Sequence, residues 1–467
     1  MSDTGHTAST AFSHVVTNNT QRYLQELVEF LSIPSISTLS EHRSDVRRAA
    51  EWVARQLESA GMDNVRLIDT SGHPLVYADW LHAPGRPTVL IYGHYDVQPP
   101  DPLDEWQSPP FAPTVRDGNI YARGAADDKG QLYIHLKAVE LLMRERGGLP
   151  VNVRFLIEGE EEVAGTSIEE YVKAHPQALK CDAVLISDSP MFADGLPAIE
   201  TGLRGMVYTE ITVRGAEHDL HSGLYGGAAP NAINTLCHIV ARLKDEQGRI
   251  LVPGFYDRVR PVSEAERAQW ASLPFDEEEF RRTEVGSPAL TGEPGYSVLE
   301  RIWARPTLDA NGIIGGFTGE GAKTVIPAIA RCKVSMRLVA DQQPDEIWQA
   351  FRSYVESICP PYATVKVDLI NTAEPVLLPT DSPYVQAAAT ALREVFGREP
   401  VFARSGGSIP IVSLFGKVLG APSILMGFGL PDDNLHAPNE KMKLDNVFKG
   451  IETSARYLEL LGGGGEA

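Results

Sequence analysis

Three short apolar runs, PTVLIYGHYD, VNVRFLIEGE and DAVLISDSP, each break off at polar residues, and the helical pattern GQLYIHLKAVELLMRER separates the first two. Continuous apolar runs of strand length that alternate with helices hide their surface best as a sheet covered by helices, which predicts an α/β fold. Two further helices precede them. QRYLQELVEFLSIPSIS carries Tyr23, Leu24, Leu27, Val28, Phe30 and Leu31 at near-helical spacing and stops at Pro34, and RSDVRRAAEWVARQLESAGM is amphipathic and ends at Gly61.

The pattern changes near Gly205. MVYTEITVRG, IARCKVSMRLV and ATVKVDLI alternate as half-exposed strands do, NAINTLCHIVARLKDE is helical, and the acidic stretch from Pro261 to Gly295 reads as irregular. After the helix SPYVQAAATALREVF, the segment KVLGAPSILMGFG returns to the buried-strand pattern. The expectation is a first domain of residues 1–205 and 379–467, split by an inserted α+β domain of residues 206–378; a chain of 467 residues suits two or three lobes. The closing GGGGEA reads as a disordered tail.

A formal net charge of −20 disfavours nucleic acid and anionic membrane, leaving small metabolites, and leaves room for carboxylates neutralised by bound cations. Cys181, Cys237, Cys332 and Cys359 form no CxxC pair, so buried thiols in a reducing compartment are expected. The opening MSDTGHTAST has neither a basic nor an apolar signal region, and no apolar run is long enough to span a bilayer; the expectation is a soluble cytoplasmic protein.

Ligands of α/β sheets gather at the carboxyl ends of the strands. PTVLIYG ends in His94-Tyr95-Asp96, VNVRFLI in a run containing Glu160, Glu161 and Glu162, AVLIS at Asp188, and SILMGFG leads through LPDDNL to His436. RGAADDKG adds Asp127 and Asp128 in a loop that opens a helix. Each motif alone has an ordinary explanation: turn residues, a helix N-cap pair, a solvated acidic run, a satisfied histidine. Their convergence decides for a metal site, and two imidazoles with several carboxylates and no thiolate suit Zn²⁺, Mn²⁺ or Co²⁺. If two imidazoles and three carboxylates bind, two divalent ions and one hydroxide make the set neutral, which favours two metals bridged by one carboxylate, roughly 3.5 to 4 Å apart. There is no HExxH or GxSxG, and GGFTGEGAKT has Ala322 before Lys323 where a phosphate loop needs glycine.

Taken together, GHYDVQPP, RGAADDKG, EGEEEVAG, LISDSP, GLRG, DLHSGLYGG, GAKTVIP, SMRLV, RSGGSIP and DDNLHAPNE resemble the co-catalytic metallopeptidase family 20 over nearly the whole chain. That family includes carnosinase, cytosolic non-specific dipeptidase, carboxypeptidase G, aminoacylase and the acetylornithine and succinyl-diaminopimelate deacylases, and DVQPP, DLHSGLYGG and GGSIP look like its dipeptidase branch. The resemblance implies His94 and Asp188 on one metal, Glu162 and His436 on the other, Asp127 bridging, a cis Asp127–Asp128 peptide, and Asp96 behind His94. It implies hydrolysis by a metal-bridging hydroxide with Glu161 as general base; an extended backbone would turn Glu161 and Glu162 to opposite sides, and Glu160 keeps the reading of a solvated charge in an acidic run. His221 in the inserted domain would stabilise the oxyanion, Arg337 would capture the substrate carboxylate, and Thr324, Gly407 and Ser408 would contact substrate. The inserted domain would act as a lid and join two copies as a homodimer. Ser405 stands where related dipeptidases commonly show Glu, and Asn371 where they show His. The implied function is a broad-specificity dipeptidase with two divalent ions, zinc first, then manganese or cobalt. The alternatives are an N-acyl-amino-acid deacylase or carboxypeptidase on the same scaffold, and a non-catalytic metal-stabilised scaffold.

Overall fold

The computed structural model describes residues 12–406 and 409–463; the first residues of the polar leader, Gly407, Ser408 and the end of the GGGGEA tail lie outside the described residues. The chain forms two compact units, one of residues Met1–Thr201, Leu378–Ala403 and Leu414–Ala467, the other of Gly202–Leu377 and Arg404–Ser413.

In the first unit, helices α1 (Ser13–Leu31) and α2 (Arg43–Ser59) lead into strands β1 (Asp63–Ile68), β2 (Leu75–Trp80) and β3 (Thr88–His94). The apolar stripe of α1 buries Tyr23, Leu27, Phe30 and Leu31, and Phe30 stacks on Trp52 of α2 with ring centroids 4.3 Å apart. Helix α3 (Lys129–Arg146) is buried around most of its surface and stops at Gly147, whose φ of 73° gives the left-handed turn that an L side chain resists. Four strands run parallel in the order Asn152–Glu158, β3, Ala183–Ile186, Ser423–Leu425. β2 and β1 extend this sheet antiparallel on one side, and Ala198–Leu203 joins antiparallel on the other.

From β3 the chain crosses through α3 to the strand on one side, Asn152–Glu158, and then returns to the strand on the other side, Ala183–Ile186. Such a reversal opens a crevice at the carboxyl ends of the two neighbours, here the ends that carry His94 and Asp188.

The second unit holds an antiparallel sheet ordered Thr307–Gly315, Ile329–Leu338, Gly205–Arg214, Thr364–Ala373. Alternate residues of Gly205–Arg214 are buried, and that face packs on helices Ala232–Ala241 and Pro344–Ile358 through Leu236, Ile239, Phe351 and Val355. The acidic stretch is more regular than its composition suggests. Ser263 and Glu266 close a capping box on helix Glu264–Ala271, and Asp276 caps Glu277–Phe280, so acidic side chains here start helices rather than break them. All four cysteines are free. Cys181 and Cys332 are buried as expected, but Cys237 lies on the solvent side of its helix and Cys359 is half-buried beyond the end of another. No helix among the described residues is long and apolar enough to cross a membrane.

Candidate metal centre

His94 closes β3 and is fully buried. Its backbone N–H donates to Asp128 Oδ2 at 3.1 Å, while its Nδ1 faces the Asp96 carbonyl oxygen at 3.1 Å and the Asp96 carboxylate at 3.4 Å. Asp96 thus backs the ring with both its carbonyl and its carboxylate, which fixes the proton on Nδ1 and turns a bare Nε2 outward. That Nε2 lies 3.2 Å from Asp127 Oδ1 and 3.8 Å from Asp188 Oδ2. On the opposite side of Asp127, His436 Nε2 lies 2.8 Å from Asp127 Oδ2 and 3.3 Å from Glu162 Oε2. Two ligand triads therefore share Asp127, one oxygen to each histidine, and within each triad the ligand atoms lie within 4.8 Å of one another.

The loop that presents Asp127 is held by Glu440. Its fully buried carboxylate accepts from Arg123 Nη1 at 2.7 Å and from the backbone N–H groups of Gly124, Ala126 and Asp127 at 2.9, 2.9 and 3.1 Å. The Asp127–Asp128 peptide is cis, as the resemblance implies. Asp128 is the N-cap residue of α3, yet its side chain does not cap the helix and accepts from His94 instead. Next in line, the buried Lys129 Nζ donates to the Phe30 and Ile33 carbonyls at 3.2 and 2.6 Å, tying the start of α3 to the end of α1. Truncating Glu440 to alanine strands a buried guanidinium and three N–H groups. It is expected to cost about 3 to 5 kcal/mol of stability and to weaken metal binding about 10- to 100-fold, measured by urea unfolding and chelator competition.

The glutamate run differs from its sequence reading in two respects. Glu161–Val163 form one 3-10 turn rather than extended backbone, so Glu161 and Glu162 diverge because successive residues of such a turn rotate by about 120°. Glu160 is not solvated; it is 9% exposed, and its carboxylate occupies space left by the absent Cβ atoms of Gly72 and Gly165. Glu162 is anchored by Gln98 Nε2, which donates to its Oε2 at 2.8 Å, and by its own N–H, which donates to Asp96 Oδ2 at 3.2 Å. The Glu161 side chain has no such anchor among the described residues, although the charges of His94, Glu162 and Asp127 all act on it.

The electrostatics are those of a carboxylate cluster that wants cations. Burial alone would raise the Asp127 pKa, but the adjoining His436 and His94 imidazoles bring it below the usual carboxylate range. Asp188 has less support and is pushed up to about 7, by burial first and then by the charge of Asp127. Burial likewise raises Glu161, with Glu162 and Asp127 adding to it. His436 is raised to about 10 by Asp127 and Glu162. A histidine whose folded pKa exceeds its unfolded value stabilises fully below about pH 6.5 and loses that contribution as pH rises to about 10. Metal-depleted protein is therefore expected to lose thermal stability across this window, and metal-loaded protein to lose less, checked by Tm against pH in both forms.

A divalent pair fits these residues. His94 Nε2 and Glu162 Oε1 are buried and make no hydrogen bond among the described residues, and a set of imidazoles and carboxylates without thiolate suits ions of borderline to hard character.

The remaining predicted residues lie in the second unit. His221 pairs with Val325 across a two-residue ladder, and its Nδ1 accepts the Gly223 N–H at 3.0 Å, so the neutral ring carries its proton on Nε2. Thr324 is brought beside it, its carbonyl accepting from Ser222 N at 3.1 Å. Arg337 is half-buried on Ile329–Leu338, opposite Met206 and Thr307. Asn371 follows a bulge in Thr364–Ala373 and is exposed, its Oδ1 taken by its neighbour's Thr372 N–H. Gly407 and Ser408 lie outside the described residues. The sequence gives no role to Glu440 or Gln98, and Asp128 is legible there only as half of an N-cap pair. All three sit inside segments already singled out, but no local spacing shows that Glu440 reaches a loop 313 residues away.

A family model described as Peptidase family M20/M25/M40 matches residues 90–460. The chain is 33% identical over 461 residues to a Cys-Gly metallodipeptidase of Candida albicans, spanning 94% of this chain and 95% of that one. Among solved structures it is similar to an M20 family metallo-carboxypeptidase of Sulfolobus solfataricus, with TM-score 0.82, 33% identity and coverage of 94% of this chain and 99% of that one. It is also similar to human carnosine dipeptidase 1, with TM-score 0.79, 30% identity and coverage of 96% and 98%. The segments that carry the metal ligands, the α/β sheet that brings them together and these likenesses agree: the chain belongs to peptidase family M20/M25/M40 and is a metallopeptidase.

Proposed function

We propose that this enzyme is a dinuclear dipeptidase of broad specificity; the observation that carries the reading is the sharing of Asp127 between two triads beside an unanchored Glu161. His94 and Asp188 would hold one divalent ion, Glu162 and His436 the other, with Asp127 common to both; zinc is the first choice for this donor set, manganese or cobalt the next. Such a pair, when bound, acidifies a water and polarises the scissile carbonyl.

The chain's own residues do the rest. Glu161 takes the water's proton and returns it to the leaving amine, a role suited to a carboxyl whose burial raises its proton affinity. Asp96 keeps His94 in the tautomer that presents Nε2. His221, with its proton on Nε2, would donate to the oxyanion as the carbonyl becomes tetrahedral. Arg337 would fork onto the dipeptide carboxylate, with Thr324 and, on the resemblance alone, Gly407 and Ser408 as further contacts. The second unit would serve as lid and homodimer contact, a reading supported by Ile313 and Ile314, exposed on the edge strand Thr307–Gly315. Four free thiols support a reducing, cytoplasmic setting.

A carboxypeptidase or N-acyl-amino-acid deacylase reading is favoured by Ser405 and Asn371, neither of which brings a charge. Turnover of a free-amine dipeptide, its N-acetylated form and a longer peptide separates them. The dipeptidase reading expects the free-amine dipeptide to be hydrolysed fastest, and preference for the blocked or the longer substrate would refute it.

A further inference from the structure

Alternation along the strands sorts the first unit's sheet into two faces. Ile91, Phe155, Leu185 and Ile424 enter the apolar core with the helices. Their chain neighbours point the other way, and this second face carries Tyr92, His94 and Glu158, then Asp188 just past the strand end. Register extends that face further. Ile186 stands opposite Leu425, and Leu425 opposite Glu200 of Ala198–Leu203, so Glu200 shares the face of His94 and Asp188.

Glu200 stands outside the two ligand triads, and no donor is seen for its buried Oε2 among the described residues. The residue is 9% exposed. Burial and the charge of Asp188 push its carboxyl up to about 8, so the two carboxylates sense each other. Glu158 and Glu440, also buried, have donors: Glu158 accepts the Tyr92 hydroxyl at 2.6 Å, and Glu440 accepts from Arg123 and backbone; the unbonded Oε1 of Glu162 belongs to a ligand triad, which Glu200 does not. An acceptor buried without a donor is costly, and a cation that donates hydrogen bonds would relieve it.

The dipeptidase reading, on which this inference rests, brings one such cation to this face. The α-ammonium of a dipeptide is separated by a single carbon from the carbonyl that is attacked. Two strand spacings and two residues separate Glu200 from Asp188, about 12 Å between Cα atoms, a gap that two acidic side chains and one substrate Cα with its ammonium would fill. We propose that Glu200 receives the α-ammonium of the substrate and is thereby the residue that selects free over blocked amino termini. It supplies the negative charge that RSGGSIP, with Ser405, lacks.

The test compares Ala–Leu with its des-amino analogue propionyl–Leu in the zinc-loaded wild type, Glu200→Gln and Glu200→Asp, with metal content measured for each. Glu200→Gln is expected to keep its metals and to lower kcat/KM for Ala–Leu about 30- to 100-fold, chiefly through KM, while propionyl–Leu turnover stays within about twofold. Glu200→Asp, which keeps the charge but draws it back by one methylene, is expected to fall between. Inhibition constants of a ketomethylene Ala–Leu isostere with and without its amine should follow the same ratio. Equal losses on both substrates, or an unchanged ratio in both variants, would overturn the assignment while leaving the dipeptidase reading intact. A wild type that prefers propionyl–Leu would overturn both.

Discussion

Glu161→Gln is expected to retain two divalent ions per chain and to lose about 10³- to 10⁴-fold in kcat, at the upper end of what a positioned general base contributes. The separation of the two effects follows from the 3-10 turn at Glu161–Val163. Glu162 is tied to the ligand set through Gln98, its own N–H and His436, whereas the Glu161 side chain has no anchor among the described residues and is in neither triad. Removing the Glu161 charge therefore leaves the ligands in place and removes only the proton acceptor. Metal analysis beside steady-state kinetics checks this, and turnover within tenfold of wild type would take the base role away from Glu161.

Asp127→Ala is expected to show the other extreme, loss of both ions and of turnover together. One carboxylate faces His94 with Oδ1 and His436 with Oδ2, so its removal takes a ligand from each triad at once. Asp188→Ala and Glu162→Ala, by contrast, each remove a ligand from one triad only. The expected order of metal content is about two ions in wild type, about one tight ion in either of these, and close to none in Asp127→Ala. Equilibrium dialysis with a competing chelator measures it. Retention of two tight ions by Asp127→Ala would show that the carboxylate is not shared.

Legibility in the sequence followed the range of the interaction. β3 could be read because an apolar run that stops at His94-Tyr95-Asp96 announces both a buried strand and its polar end, and both signals are local. The same holds for Glu158, which ends an apolar strand, and for Asp188, two residues past one. The Ser263–Glu266 capping box was legible too, but the acidity of its surroundings masked it. Glu440 was not legible, because its partners Arg123, Gly124 and Ala126 meet it only after the sheet has folded. Glu200 escaped for a different reason: every residue of Ala198–Leu203 is buried, so the strand has no alternation to mark which face a lone carboxylate takes. Glu160 was assigned to solvent on composition, and only the space at Gly72 and Gly165 turns it inward.

The most direct test of the account is anomalous diffraction at the metal absorption edge from crystals of the protein loaded with zinc, manganese or cobalt. Two peaks about 3.5 to 4 Å apart are predicted, one among His94, Asp127 and Asp188 and the other among Asp127, Glu162 and His436. A single peak at full occupancy, or two peaks that do not share Asp127, would contradict it.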